Sequence, residues 1–166
     1  MDNYTHSSVF IGLGSNLGNK KANINDAIAS IAGLDSTDVT KTSSFYKTSP
    51  VGSVDQDWFI NSVIKVKTRI AADALMSALL SIEEKLGRVR TEKWGARTID
   101  IDMLFYNDEI INSERLTVPH EHLSERKFVL EPLSEIAGDF LHPVLNKTIS
   151  QLLGELKTDE EVEKII

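Results

Sequence analysis

Apolar residues recur along this chain first at strand spacing and then at helix spacing, in the order strand, helix, strand, strand, helix, strand. Residues 8–12 form a short apolar run, and residues 14–18 (Gly-Ser-Asn-Leu-Gly) read as a turn. Over residues 19–34, Ala22, Ile24, Ala27, Ile28 and Ile31 make a helical stripe. Residues 39–48, rich in Thr, Ser and aromatics, predict one strand, and residues 49–57, with Pro50 and Gly52, predict a loop. Residues 58–68 predict another strand from the alternation Val63-Ile64-Lys65-Val66-Lys67. The clearest helix covers residues 71–86: Leu75, Met76, Leu79, Ile82 and Leu86 recur at three- and four-residue spacing, and Gly87 ends it. Residues 98–106 close the series with alternation as far as Met103 and an apolar run beyond.

A βαββαβ order predicts an α+β, ferredoxin-like fold, in which an antiparallel sheet carries two helices on one face. Beyond it the sequence predicts a short strand at 109–112 and a helix from 124 to about 130, with Ser124 as N-cap and Pro132 limiting its length. A surface helix at 147–156 completes a C-terminal helical extension. The 166 residues, 41% hydrophobic and 26% charged, suffice for one domain, 1–166, with its own core. The absence of cysteine excludes disulfides, thiolate zinc sites, iron–sulfur clusters and a thiol nucleophile. No apolar run approaches about 18 residues and the first residues are polar, so a cytoplasmic protein without a membrane partner is expected. The net charge, 18 − 25 = −7, argues against nucleic acid as a partner. Positive charge is nevertheless concentrated locally in Lys85, Arg88, Arg90, Lys93 and Arg97, which suits a small anionic ligand.

The sharpest chemical signal is Thr98-Ile99-Asp100-Ile101-Asp102-Met103-Leu104. In a strand, Ile99, Ile101 and Met103 share the core face while Asp100 and Asp102 point together the other way, their Cα atoms about 6.6 Å apart. Two carboxylates so placed want cations: Mg²⁺ takes one or two carboxylates plus phosphate oxygens, and a two-metal clamp on a phosphoryl group would fit. A solvated strand face with alternating Asp reads the same way. The preceding segment favours chemistry, because Arg88, Arg90, Lys93 and Arg97 can clamp phosphate, and Trp94 has no periodic reason to be buried. Residues 12–18 match neither the dinucleotide nor the Walker spacing of glycines, leaving a tight turn or a loop beside a ligand pocket. His120 and His122 lack the partners of a zinc site, so they are either solvated loop histidines or, with Arg126 nearby, phosphate contacts. Trp58, Phe59 and Asn61 flank a loop where an aromatic and an amide could stack on and read a flat heterocycle, although core and turn roles account for Phe59 and Asn61 equally.

Taken together, these segments resemble the 6-hydroxymethyl-7,8-dihydropterin pyrophosphokinase family of the folate pathway. The resemblance rests on residues 93–104 (Lys-Trp-Gly-Ala-Arg-Thr-Ile-Asp-Ile-Asp-Met-Leu), joined in order by 14–16, 44–48, 87–90, 116–120 and 126–130, and spans about residues 9–156. It implies transfer of the β,γ-diphosphoryl unit of ATP to the pterin hydroxymethyl group, with release of AMP. It implies two Mg²⁺ ions on Asp100 and Asp102, and phosphate contacts from Arg88, Arg90 and Arg97. His120 and Arg126 would also touch ATP, and Glu83 would line the nucleotide side. For the pterin it implies hydrogen bonds from Asn61 and from backbone near Thr48 and Val51, a ring sandwiched by Phe59 and Phe128, and a lid closed by Trp94. Glu121 stands where relatives often carry an aromatic or a proline, and only three residues separate Arg90 from Trp94. A single-function monomer acting on small molecules is expected. Two other readings make different predictions. A Mg²⁺-dependent phosphohydrolase on the same aspartates needs no pterin, and a ferredoxin-like RNA-binding module needs a basic, aromatic sheet face that the charge opposes.

Overall fold

The computed structural model describes residues 5–49, 58–87 and 98–165. The sheet is built on β4 (Phe59–Thr68), which pairs with β1 (Ser7–Ser15) along one side and with β2 (Thr37–Thr42) and β3 (Phe45–Thr48) in succession along the other. β1 in turn carries β5 (Asp100–Tyr106) on its far side, and every pairing is antiparallel. Helix α1 (Lys20–Ala32) joins β1 to β2, and α2 (Ala72–Lys85) joins β4 to β5. The order β5-β1-β4-β3 is the expected split βαβ arrangement of the ferredoxin-like fold.

Alternation explains the first core. Val9, Ile11 and Leu13 of β1, Ile64 and Val66 of β4, and Ile101 and Met103 of β5 pack against Ile24, Ala27 and Ile31 of α1 and Leu75, Leu79 and Ile82 of α2. Asn19 caps α1 by accepting from the Ala22 N–H at 3.2 Å. Gly87, at φ +87°, takes the left-handed conformation that ends α2. The opposite face is not bare. Phe10, Val63, Leu104 and Phe105 pack there against α3 (Lys127–Ala137) and α4 (Ile149–Glu155) through Val129, Leu130, Leu133, Ile149 and Leu152. The C-terminal helices thus form a second layer.

Several expectations are corrected. β1 continues through Ser15, so Gly12 and Gly14 lie in a strand and the turn begins at Asn16. The single strand expected at 39–48 is two, broken at Ser43 and Ser44. The Ser43 N–H still donates to the Val63 carbonyl at 2.9 Å, but the Val63 N–H donates back to the Ser43 hydroxyl at 2.9 Å, so a side chain, set against the Ser62 hydroxyl at 3.0 Å, replaces the backbone acceptor there. Pro132 does not limit α3, which runs through it to Ala137. The proline forfeits one backbone bond early in the helix, whereas stopping there would expose fully buried Leu133. Ser124 is not an N-cap: it sits in a 3₁₀ turn, Leu123–Glu125, ahead of α3. The strand expected at 109–112 is β6 (Ile111–Asn112), paired with β7 (Thr117–Val118). The helix expected at 147–156 begins at Ile149, behind a capping box of Thr148 and Gln151, and buries Ile149 and Leu152. An unforeseen strand, β8 (Val162–Ile165), adds to the edge of β3. Its four residues are too short and too charged to stand out as a strand by alternation.

Candidate active site

The chain topology brings the candidate residues to one end of the sheet. β1 and β3 end there, β4 and β5 begin there, α2 finishes there and α3 starts there. Register then sets the rows. Asp100 pairs with Gly14, Gly14 with Asn61, and Asn61 with Tyr46, so these four stand in line on one face. In the next row Asp102 pairs with Gly12 and Gly12 with Val63. Asp100 and Asp102 therefore share a face with two glycines beside them, as expected, with Ile101 and Met103 buried on the other. Asp100 is half-buried and Asp102 exposed.

The glycines are a feature that the sequence reading missed. A β-carbon on Gly14 would lie 2.6 Å from Oδ1 of Asn61, so glycine here makes room for the amide. Asn61 is buried, and its Nδ2 donates to the Thr48 hydroxyl at 2.8 Å. Two residues expected to contact one ligand are thus joined to each other. Phe59, directly opposite Thr48 in the ladder, projects on the same face and is half-buried. The available signal was glycine at alternate positions of an otherwise apolar strand.

β5 contains a bulge that serves the site. The register with β1 passes from Ile11↔Met103 to Phe10↔Phe105, skipping Leu104. The extra residue explains why the alternation stops after Met103, since Leu104 and Phe105 both join the second core. The Leu104 carbonyl accepts from the His120 N–H at 3.0 Å, which ties His120 beside the aspartate strand. His120 Nδ1 accepts from the His122 N–H at 3.3 Å, so in the neutral ring the proton sits on Nε2. Burial, then the charges of Arg126 and His122, hold the His120 pKa below its ordinary value. His122 lies between Glu121 and Glu125, at 3.2 and 3.5 Å. Arg126 precedes α3, its guanidinium carbon 5.8 Å from the centre of the Phe128 ring, and Phe128 packs partly on the second core.

Glu83 is buried near the end of α2 and accepts from the Ile101 N–H at 2.7 Å. Glu135 of α3 accepts from the Tyr46 hydroxyl at 2.7 Å and from the Ser44 N–H and hydroxyl, fastening α3 to β3. Burial first, and then this carboxylate, push the Tyr46 pKa far up. For Glu135 burial acts upward, but the bonds from Tyr46 and Ser44 outweigh it and hold its pKa low. Val51, Arg88, Arg90, Trp94 and Arg97 lie outside the described residues. Among the described residues no group of three or more His, Asp or Glu side chains is gathered as a metal cage, and no helix is long and apolar enough to cross a membrane. A pair of carboxylates on an open strand face, all hard oxygen, suits Mg²⁺ completed by phosphate oxygens rather than an all-protein cage.

Residues 10–138 match the model of the 7,8-dihydro-6-hydroxymethylpterin-pyrophosphokinase family. The chain is 42% identical over 149 residues to a 2-amino-4-hydroxy-6-hydroxymethyldihydropteridine pyrophosphokinase of Haemophilus influenzae, covering 90% of each. It is 42% identical over 147 residues to the protein of the same description from Methylorubrum extorquens, covering 89% of this chain and 92% of that one. It superposes on the crystal structure of Plasmodium falciparum HPPK-DHPS wild type with pteroate at a TM-score of 0.72. At 17% identity that likeness is one of fold, covering 93% of this chain and 45% of the length of the other.

Proposed function

Since the chain belongs to the 7,8-dihydro-6-hydroxymethylpterin-pyrophosphokinase family, we propose that the row Asp100–Gly14–Asn61 is where its two substrates meet. The enzyme transfers a pyrophosphoryl group from ATP to hydroxymethyldihydropterin in folate biosynthesis. In the proposed site the pterin lies over Asn61 and Thr48, between Phe59 and Phe128, with Val51 adding a backbone contact and Trp94 closing over it. The triphosphate lies over Asp100 and Asp102, where these carboxylates would hold two Mg²⁺ ions. Bound there, the metal neutralises charge on the triphosphate and lowers the cost of adding more in the transition state.

The residues of the chain bind and orient. The hydroxymethyl oxygen attacks the β-phosphorus in line, a new O–P bond forms, the bond between the α,β-bridging oxygen and the β-phosphorus breaks, and AMP leaves with release of one proton. Arg88, Arg90 and Arg97 take up charge on the phosphates. Neutral His120 donates from Nε2 to a phosphate oxygen, and Arg126 adds a charged donor beside it. Glu83 borders the nucleotide side, through its hold on the aspartate strand. Such chemistry depends on positioning and electrostatics and requires no strong base. The chain acts in this proposal as one domain, a cytoplasmic monomer.

The observation that carries the reading is the joint placement of the Asn61–Thr48 hydrogen bond and the aspartate pair on one glycine-floored face. Incubation with ATP, Mg²⁺ and the hydroxymethyl-dihydropterin tests it: AMP should form in step with pterin consumption. ADP or free phosphate as product would overturn it.

A further inference from the structure

The C-terminal segment lies beyond the residues that match the family model, yet it reaches both walls of the proposed pterin pocket. On one side β8 extends β3. Val162 pairs with Thr48, the Ser49 N–H donates to the Glu161 carbonyl at 3.0 Å, and the Glu161 N–H donates to the Ser49 hydroxyl at 3.2 Å. On the other side the Glu160 carboxylate accepts from the Lys127 N–H at 3.1 Å. Lys127 is the first residue of α3, and Arg126, its N-cap, makes no side-chain cap bond. Glu160 therefore caps α3 from 33 residues downstream, where a negative charge is favoured by the exposed N–H groups and the helix dipole. The carboxylate is held in turn by the Thr158 hydroxyl at 3.3 Å.

Three consecutive residues thus join the strand end that carries Thr48 to the helix start that carries Arg126 and Phe128. We propose that Glu160 is a positioning residue, setting the separation of Phe128 from Thr48 and Asn61 and so the affinity for the pterin. The inference rests on the pocket assigned above, and its loss should appear in substrate affinity before it appears in the chemical step.

Steady-state kinetics at saturating ATP and Mg²⁺ test it. Glu160→Ala should raise the pterin KM about tenfold, the scale of one charge-assisted hydrogen bond, with kcat within about twofold of wild type. Glu160→Gln keeps an acceptor and should fall between the two. Should the alanine variant not fold, Thr158→Val, which removes the hydroxyl behind the carboxylate, should raise the pterin KM in the same direction. A lower thermal midpoint with unchanged KM would make Glu160 merely structural and overturn the proposal, as would unchanged kinetics in all variants. Asn61→Ala and Phe59→Ala with unchanged pterin KM would instead refute the pocket assignment itself, so the two failures are distinguishable.

Discussion

The buried carboxylate of Glu83 is hydrogen-bonded at 2.7 Å to the backbone N–H of Ile101, the residue that separates Asp100 from Asp102. β5 ends the sheet path on that side among the described residues, so no strand is paired along this edge. A side chain from α2 holds the strand instead. The helix that packs the first core thereby also holds the stretch of strand that carries the two carboxylates.

Replacing Glu83 by Ala should leave that N–H without its carboxylate partner and cost about 1–3 kcal/mol of stability, measured by denaturant unfolding. Turnover should fall as well, since the aspartate strand loses its anchor. Glu83→Gln keeps an acceptor and should retain most of the stability. Equal unfolding midpoints for Ala and wild type would show that the bond has no such role.

Asp100→Ala and Asp102→Ala should fold normally, because Asp100 is half-buried, Asp102 is exposed and neither side chain belongs to either core. Each should lose well over tenfold in turnover, above about 1.4 kcal/mol of barrier. Circular dichroism checks the fold and AMP release checks the reaction. A double variant within tenfold of wild type would refute the metal assignment.

Gly14→Ala tests the floor of the site. The new methyl would sit 2.6 Å from Oδ1 of Asn61, which must swing away and strain its 2.8 Å bond to Thr48. The expected outcome is a several-fold higher pterin KM at a stability loss of about 1–3 kcal/mol. Titration with the pterin alone, followed by calorimetry, should show the same weakening.

Stability should depend on pH through His142, a buried residue far from the proposed chemistry in sequence. Its Nδ1 accepts from the Val144 and Leu145 N–H groups, both at 3.1 Å, and burial holds its pKa below the ordinary value. The unfolded chain then binds a proton more readily than the folded one. The contribution is complete above about pH 6.5 and is lost as pH falls toward the lowered folded value. His142→Asn keeps an acceptor without that titration and should flatten the acid side of the stability profile, read from thermal midpoints between pH 5 and 7 (roughly the range where an ordinary histidine titrates). An unchanged slope would assign the dependence elsewhere.

Periodicity, with composition at residues 8–12 and 39–48, made the core elements legible apart from the division of 39–48 into two strands, because burial on one face imposes period two on a strand and about 3.6 on a helix. The same rule placed Asp100 and Asp102 together, since residues two apart in a strand cannot avoid sharing a face. Local order did not reveal the break at Ser43, the bulge at Leu104 or the passage of α3 through Pro132. Each is decided by a partner distant in the chain: Ser62, His120 and the second core. Nor could spacing show that Gly14 makes room for Asn61, that Glu83 reaches Ile101, or that Glu160 caps α3. A hydrogen bond or a steric vacancy between residues tens of positions apart exists only once the sheet register is set, and that register comes from packing the whole chain.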